Sequence, residues 1–319
     1  MLRSFFIYLS KANWARKLVM GMALARKMSA RFVAGETLAD AIRVIKELNA
    51  KGINATLDHL GEHTATAEDS RSATRDILQA LDAIQESGVR ANVSVKLTQF
   101  GLMVDPKLCV DNLAAIVERA ASFNNFVRVD MEDSPVTQIT LDIMREMRQR
   151  GYDNVGIVIQ AYLYRSEADI RQLIQDSYTV RLCKGAYKEP AKVAFPKKKD
   201  VDANYDKLAA MLIDGGKEKG CLTATDDGRF PPVPGLATHD ARRVEFAKTY
   251  ARKIDLPQNA IEFQMLYGIR RELQDQLASE GYPVRVYVPY GTEWYPYYMR
   301  RLAERPANVW FFISNFFRR

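Results

Sequence analysis

The chain has 319 residues, 47% of them hydrophobic, and a formal net charge of +7 at pH 7. It can bury a large core in one domain or two, but no apolar run is long enough to cross a bilayer. The three cysteines are odd in number and form no CxxC pair, which argues against a disulfide framework and for a reducing compartment such as the cytoplasm. The densest basic run, residues 197–199, lies in a predicted loop without a nucleic-acid-binding signature, so we expect no nucleic-acid partner.

The first fifty residues predict helices, because they are rich in good helix formers and lack β-branched runs. Apolar, β-branched segments then alternate with helical patterns. The apolar segments predict strands at residues 53–57, 91–97, 126–129, 155–159, 179–182, 236–238, 261–265 and 284–288. The helical patterns cover residues 67–85, 106–121, 137–150, 166–175, 203–218, 240–252, 270–280 and 294–305.

This alternation predicts parallel βαβ units, and eight of them fit a (β/α)8 barrel better than a doubly wound sheet. The strands are nearly continuous in apolar character, as expected when both faces of a strand are buried. We find no linker, so the sequence predicts an α/β chain with a helical extension at 1–50 and a barrel domain at 51–319. Residues 226–235 form an irregular insertion before the sixth strand, and Gly215-Gly216 predicts a helix C-cap.

Polar side chains follow the predicted strands at their carboxyl ends, where such barrels build active sites. A charged group inside a barrel mouth costs several kcal/mol unless it is paired, and Lys96 and Asp130, on neighbouring strands, are suited to pair. These strand ends carry Lys96, Asp130, Met131, Glu132, Gln160, Tyr162, Arg181, Lys184, Tyr187, Thr238, His239, Asp240, Gln264, Leu266 and Tyr287.

The last predicted helix has an aromatic and charged face that would meet the same mouth. At helical spacing Tyr297, Arg300, Arg301 and Glu304 share this face. Two adjacent guanidinium groups match a carboxylate bidentately. An ordinary amphipathic helix with a solvated face gives the same pattern, but the polar strand ends favour a cationic site that binds a small anion.

Several common chemical signatures are absent from the sequence. It has no GxGxxG, P-loop or GxSxG motif. His59 and His63 resemble metal ligands at i and i+4, but Gly61 interrupts the helix that this spacing requires, so we expect no metal. The Lys184-Gly185-Ala186-Tyr187 segment is more informative, because glycine lets a cofactor approach the backbone and lysine can meet a phosphate.

Three motifs resemble proline dehydrogenases, most closely the compact monofunctional bacterial form. They are VRLCKGAY at 180–187, ATHD at 237–240, and VYVPYG at 286–291 followed by the Tyr-x-x-Arg-Arg-x-x-Glu pattern at 297–304. The resemblance runs from about residue 58 to 308. It implies a distorted (β/α)8 TIM-type barrel that binds FAD noncovalently, oxidises L-proline to Δ1-pyrroline-5-carboxylate by hydride transfer, and passes electrons to a membrane quinone.

The resemblance also implies roles for individual residues. The arginine pair and Lys96 would hold the proline carboxylate, the tyrosines would enclose the ring, and Glu304 would orient the arginines. This substrate set comprises Lys96, Tyr187, Tyr287, Tyr297, Arg300, Arg301 and Glu304. Asp130 would pair with Lys96 or bond Tyr287, and Arg181 would lie near flavin N5, where negative charge builds.

The flavin and its pyrophosphate would be lined by Met131, Gln160, Lys184, Gly185, Ala186, Thr238, His239 and Leu266. Lys188 stands where some relatives have an aromatic residue, and the loop at 226–235 is longer than expected in compact members. Tyr287 is retained, which favours proline over hydroxyproline because a ring hydroxyl would crowd this tyrosine.

Two other classes of function fit parts of the sequence. A barrel lyase or aldolase would use Lys96 or Lys184 as a Schiff-base amine, which needs a depressed pKa and no flavin. A noncatalytic membrane or nucleic-acid binder would exploit the positive charge, but it does not require polar strand ends. The aromatic segment at 309–317, followed by Arg318-Arg319, predicts either a packed helix or a peripheral contact with the inner face of the membrane.

Overall fold

The structure is a computed structural model that describes residues 8–9, 12, 14, 19–20, 28–61 and 64–304. Eight parallel strands, each paired with its neighbours in sequence, close into a barrel, so the predicted fold is confirmed. The strands are β1 (Asn54–His59), β2 (Ala91–Val95), β3 (Val127–Val129), β4 (Val155–Gln160), β5 (Val180–Cys183), β6 (Gly235–Ala237), β7 (Glu262–Leu266) and β8 (Val284–Tyr290). Pairing of β8 with β1 in parallel register completes the ring.

Helices follow the strands around the barrel. They are α1 (Leu38–Asn49), α2 (Ala67–Ser87), α3 (Pro106–Ser122), α4 (Thr137–Gln149), α5 (Ser166–Gln175), α6 (Lys198–Glu218), α7 (Ala241–Lys253), α8 (Arg271–Ser279) and α9 (Trp294–Glu304). The largest difference from the prediction is α6, which begins at Lys198 rather than 203. The N-cap residue Lys197 makes no side-chain capping bond, so the sequence carries no start signal there.

The two faces of the strands differ in polarity. The outward residues pack with the helices in one apolar core, for example Val93 and Val95 of β2. The inward residues are polar and bond across the barrel, as Arg181 does with Asp130 and Ser94. Both faces are therefore buried, as predicted, but only the outer face is apolar.

Two helices near the ends of the described chain pack in different apolar clusters. Helix α1 buries Ala41, Val44 and Ile45 in the main core beside β1 and β8. Helix α9 packs in a second apolar cluster that includes Phe32 and Leu60. Among the described residues, no helix is long and apolar enough to cross a membrane. The division at residue 50 stays a prediction, and most of the first 27 residues and the segment 309–317 lie outside the described residues.

The insertion at 226–235 closes the amino-terminal end of the barrel, opposite the carboxyl ends of the strands. Arg285 Nη2 donates to the Gly228 carbonyl at 2.7 Å, and Asn92 Nδ2 donates to the Arg229 carbonyl at 2.8 Å. Phe230 packs edge-on against Phe126. The loop therefore supports the floor of the barrel rather than its mouth.

Gly215 and Gly216 lie inside α6, so their prediction as a C-cap is wrong. A Cβ atom at 216 would lie 2.5 Å from the Val233 carbonyl oxygen, and one at 215 would lie 2.7 Å from a methyl carbon of Ile174. The two glycines thus allow close packing of α6 against its neighbours, a tertiary requirement that local sequence does not reveal.

We expect Gly216→Ala to destabilise the protein by about 1–2 kcal/mol. Alanine gains about 1 kcal/mol in a helix interior, but we expect the clash with a backbone carbonyl to cost about 2–3 kcal/mol, in the upper part of the range for overpacking, because that group cannot rotate away. Gly215→Ala is the comparison variant, since it gains the same helix propensity and meets the Ile174 side chain rather than backbone, so it should lose less stability than Gly216→Ala. Thermal unfolding of the parent protein and both variants measures the change. A Gly216→Ala variant as stable as the parent protein would contradict the prediction.

Candidate active site

The carboxyl ends of the strands open into a cavity of about 2020 Å³. This exceeds the roughly 300–1,000 Å³ of an ordinary small-molecule pocket. All predicted site residues line it except Glu304, whose side chain lies outside the described part of the chain. The lining residues are Lys96, Asp130, Met131, Gln160, Arg181, Lys184, Gly185, Ala186, Tyr187, Thr238, His239, Leu266, Tyr287, Tyr297, Arg300 and Arg301.

Lys96 lies in a compact charged cluster at the ends of β1, β2, β3 and β8. Its Nζ donates to Asp58 Oδ1 at 2.8 Å and to the Tyr287 hydroxyl at 3.2 Å. Asp130 Oδ2 lies farther away, at 3.8 Å, and accepts the Tyr287 hydroxyl at 2.8 Å. Both contacts predicted for Asp130 are therefore present, but the closest partner of Lys96 is Asp58.

Asp58 is a site residue that the sequence reading missed. It is almost fully buried, lines the cavity, and lies near the carboxyl end of β1. The available signal was a carboxylate directly after the apolar segment at 53–57, the same pattern that marked the other strand ends.

Lys96 remains an ammonium in this cluster. Burial alone would lower its pKa, but the Asp58 and Asp130 carboxylates outweigh burial and raise the pKa above the ordinary lysine value. Burial, and then Asp130, raise the pKa of Tyr287 well above the ordinary tyrosine value. A protonated Lys96 can hold an anion, whereas a Schiff-base nucleophile needs a free amine, so the lyase alternative loses support at this position.

Arg181 lies inside the barrel beneath the cavity. It is almost fully buried. Its Nη1 donates to Asp130 Oδ1 at 3.0 Å and to Ser94 Oγ at 3.3 Å, and its Nε donates to Gln264 Oε1. Its Nη2 also donates to Thr56 Oγ1 at 3.5 Å, so four side chains hold the guanidinium.

Lys184 and Gly185 follow β5 at the rim of the cavity. Lys184 Nζ contacts Asp202 at 2.5 Å and Asp240 at 2.8 Å, partners that the sequence reading did not foresee. Burial would raise the pKa of both carboxyl groups, but Lys184 together with Lys198 at Asp202, and Lys184 together with the Arg242 N–H and Arg243 at Asp240, outweighs burial and lowers both pKa values. Gly185 has φ +111°, and a Cβ there would lie 2.4 Å from the Tyr162 ring, so only glycine fits.

Helix α9 brings two guanidinium groups to the mouth. Arg301 is almost fully buried and stacks on Tyr297, with 4.9 Å from its Cζ to the ring centroid. Arg300 is exposed to the cavity, and in the described part of the chain no carboxylate lies within ion-pair distance of it. Partial removal of the guanidinium from water by the surrounding protein, and then the positive charge of Arg301, lower the pKa of Arg300. An anion bound here would relieve the repulsion between these two cations.

Three further predicted residues form hydrogen bonds that hold the strand ends. His239 Nε2 accepts the Leu266 N–H at 2.9 Å, which leaves the ring proton on Nδ1. Thr238 Oγ1 accepts the Asp240 N–H, and Gln160 Nε2 donates to the Glu132 carbonyl.

Of the two histidines whose spacing resembles that of metal ligands, only His59 lies within the described residues. His59 stacks on Tyr290, with 4.9 Å between ring centroids. His63 lies outside the described residues. Within the described ranges, no group of histidine, cysteine or carboxylate side chains is arranged to hold a metal.

Comparisons with known proteins agree with this architecture. The family model described as proline dehydrogenase matches residues 41–313. The chain is 39% identical over 309 residues to proline dehydrogenase 2 of Bacillus subtilis (strain 168), covering 97% of this chain and 96% of that protein. It is 38% identical over 291 residues to the proline dehydrogenase of Deinococcus radiodurans, covering 90% and 89% respectively.

A solved structure shares the fold. Proline utilization A from Bdellovibrio bacteriovorus, inactivated by N-propargylglycine, superposes with a TM-score of 0.79 at 27% sequence identity. The match covers 88% of this chain and 33% of that protein. With the family model spanning most of the sequence and curated relatives matched almost end to end, the chain belongs to the proline dehydrogenase family.

Proposed function

We propose that this enzyme oxidises L-proline to Δ1-pyrroline-5-carboxylate with FAD as its cofactor. The observation that carries the proposal is the meeting, in one cavity, of the Arg300–Arg301 pair with the Lys96 cluster. Three cationic groups suit the carboxylate of a small amino acid. The substrate itself comes from the printed names of the relatives, which are proline dehydrogenases.

The residues on α9 would bind and orient the substrate. Arg301 is held against Tyr297 and Arg300 extends into the cavity, so the two forks can clamp one carboxylate. Tyr287 would contact the ring, because its hydroxyl is held by Asp130 and Lys96. Clamping the carboxylate places the ring carbon that is oxidised in a fixed position, which is a large part of catalysis.

The cavity fits a dinucleotide. Its volume accommodates FAD together with proline, and FAD supplies the hydride acceptor when bound. We propose that the predicted residues at the ends of β3 to β7 line the cofactor. Asp202 and Asp240 contact Lys184 and share their charge with Lys198, so Lys188, Lys192 and Arg242 at the same rim would add positive charge for the pyrophosphate. Arg181 would stabilise the negative charge that develops on the cofactor.

We further propose that electrons pass to a membrane quinone and that residues 309–317 contact the membrane surface. The support is the sequence of that segment, in which aromatic residues precede two arginines. The division into a 1–50 extension and a 51–319 barrel domain is part of the same proposal.

L-proline should bleach the visible flavin spectrum of the purified protein under anaerobic conditions, because hydride transfer reduces the cofactor. Reduced protein mixed with vesicles that carry a quinone should then regain the oxidised spectrum. A flavin that stays oxidised in the presence of L-proline would overturn the proposal that L-proline is the substrate. Equal reoxidation by a chain ending at residue 308 would overturn the membrane contact alone.

Replacing Arg300 or Arg301 by lysine should raise KM for proline by about 10-fold or more, because lysine cannot form the bidentate fork. Arg271→Lys is the matched control, since Arg271 also lies over a tyrosine ring but does not line the cavity. Steady-state kinetics measure both effects. An unchanged KM in the α9 variants would remove the clamp from the mechanism.

Asp58→Asn should make anion binding sensitive to pH. Without this carboxylate less negative charge opposes the effect of burial on Lys96, so the pKa of Lys96 falls. Binding of a cyclic carboxylic acid without a ring nitrogen should then weaken as the pH rises from 7 to 10, whereas the parent protein should hold it until Lys96 loses its proton at higher pH. Asp133→Asn, at another cavity carboxylate, is the control. Identical pH profiles for parent and Asp58→Asn would contradict the pairing.

A further inference from the structure

A chain of side-chain hydrogen bonds runs through the barrel interior from Arg181 toward the floor. Arg181 Nε donates to Gln264 Oε1, and Gln264 Nε2 donates to Glu262 Oε1 at 2.6 Å. Arg285 Nε donates to the same carboxylate oxygen at 2.8 Å. All four side chains are at most 6% exposed, so water does not compete strongly for these bonds.

The register of the strands allows this chain to form. Arg181 of β5 pairs with Gly235 of β6, and Gly235 pairs with Glu262 of β7. A Cβ at Gly235 would lie 2.7 Å from Gln264 Nε2. The glycine therefore leaves the space through which the amide of Gln264 reaches Arg181.

Glu262 fixes which way the amide of Gln264 points. An ionised carboxylate only accepts hydrogen bonds, so Gln264 must present its NH2 group to Glu262. Its carbonyl oxygen is then the atom that faces Arg181, whose guanidinium only donates. A Gln264 amide turned the other way would place donor against donor and acceptor against acceptor, which is costly in a buried site.

Arg285 holds Glu262 in place at the floor. Its Nη1 donates to the Ala55 carbonyl at 2.8 Å and its Nη2 to the Gly228 carbonyl at 2.7 Å. The Glu262–Arg285 pair is at most 1% exposed and is anchored to β1 and to the loop at 226–235. The chain of bonds thus begins at a rigid support and ends at Arg181.

We propose that Glu262 is a positioning residue for Arg181, acting through the amide of Gln264. This inference rests on the proposed function, in which Arg181 stabilises negative charge on the flavin. Four side chains contact the Arg181 guanidinium, and two of them lead toward the floor. The route through Thr56 and Asn92 starts from a long contact of 3.5 Å, whereas the route through Gln264 is short and ends on a buried ion pair. A charge that stabilises a transition state acts best when its orientation is set before the reaction, and small misplacements cost rate.

The test compares FAD-loaded Glu262→Gln, Gln264→Met and the double variant. Glutamine at 262 keeps the shape but lets its amide turn, and methionine at 264 removes the link at similar volume. Flavin reduction by L-proline should slow about 10-fold in Gln264→Met and by less in Glu262→Gln. KM should stay within about twofold, because the chain does not touch the carboxylate clamp.

The midpoint potential of the bound flavin should become more negative in both variants, and by more in Gln264→Met than in Glu262→Gln. The reason is that the reduced, anionic flavin loses a well-placed cation. The double variant should match Gln264→Met, because Glu262 acts only through that amide. Gly235→Ala should move both readouts in the same direction by displacing Gln264. It thereby tests the inference without changing a charged residue.

Asn154→Ala is the control for general loss of buried hydrogen bonds. Asn154 Nδ2 bonds the Val117 and Asn125 carbonyls, neither of which leads to Arg181. This variant should lose thermal stability and keep the parental potential and reduction rate.

Arg181→Met separates failure of this inference from failure of the proposed function. If Arg181→Met leaves the flavin potential unchanged, the proposed role of Arg181 fails. If Arg181→Met shifts the potential but Glu262→Gln and Gln264→Met do not, Glu262 has no positioning role. Additive effects in the double variant would also overturn the proposal.

Discussion

The need to pair charges inside a barrel governs this structure. Seven charged side chains share the interior in the described part of the chain: Asp58, Lys96, Arg128, Asp130, Arg181, Glu262 and Arg285. A buried charge without partners costs several kcal/mol. The barrel meets this cost for six of these groups with a partner of opposite charge. Arg128 is the exception: its Nη1 donates to the Ile157 and Thr179 carbonyls, its Nε and Nη2 have no partner among the described residues, and burial lowers its pKa well below the ordinary arginine value.

Pairing also gives the active site its character. Because Asp58 takes the closest contact with Lys96, Asp130 is available to bond Tyr287 and Arg181 together. The carboxylates keep Lys96 charged. The two arginines on α9 add further positive charge, and within the described residues no carboxylate pairs with Arg300. The carboxylates inside the barrel therefore do not neutralise the mouth of the cavity, and a small carboxylate, as proposed for the substrate, would add the missing negative charge.

The sequence predicted the barrel from local patterns, and the predicted site residues whose side chains the structure describes line one cavity. Alternating strands and helices specify the topology, and the carboxyl ends of parallel strands must meet. What it missed depends on tertiary contacts. Nothing local shows that Lys184 meets Asp202 and Asp240, or that Gly216 lies against the Val233 carbonyl. Asp58 lay within reach of the same argument, since it follows an apolar strand segment like the other site residues.

The interior charges also explain why the floor and the mouth of the barrel are coupled. In a barrel filled with aliphatic side chains, packing at the floor would hold the mouth only through the backbone. Here Arg285 contacts the loop at 226–235 through the Gly228 carbonyl, and the bonds through Glu262 and Gln264 continue to Arg181. Each of these side chains is hydrogen-bonded to the next, so under our proposal a change at one position would alter the orientation of its neighbour. The loop before β6, although it lies far from the cavity opening, is therefore connected to Arg181, the residue that we propose faces the cofactor.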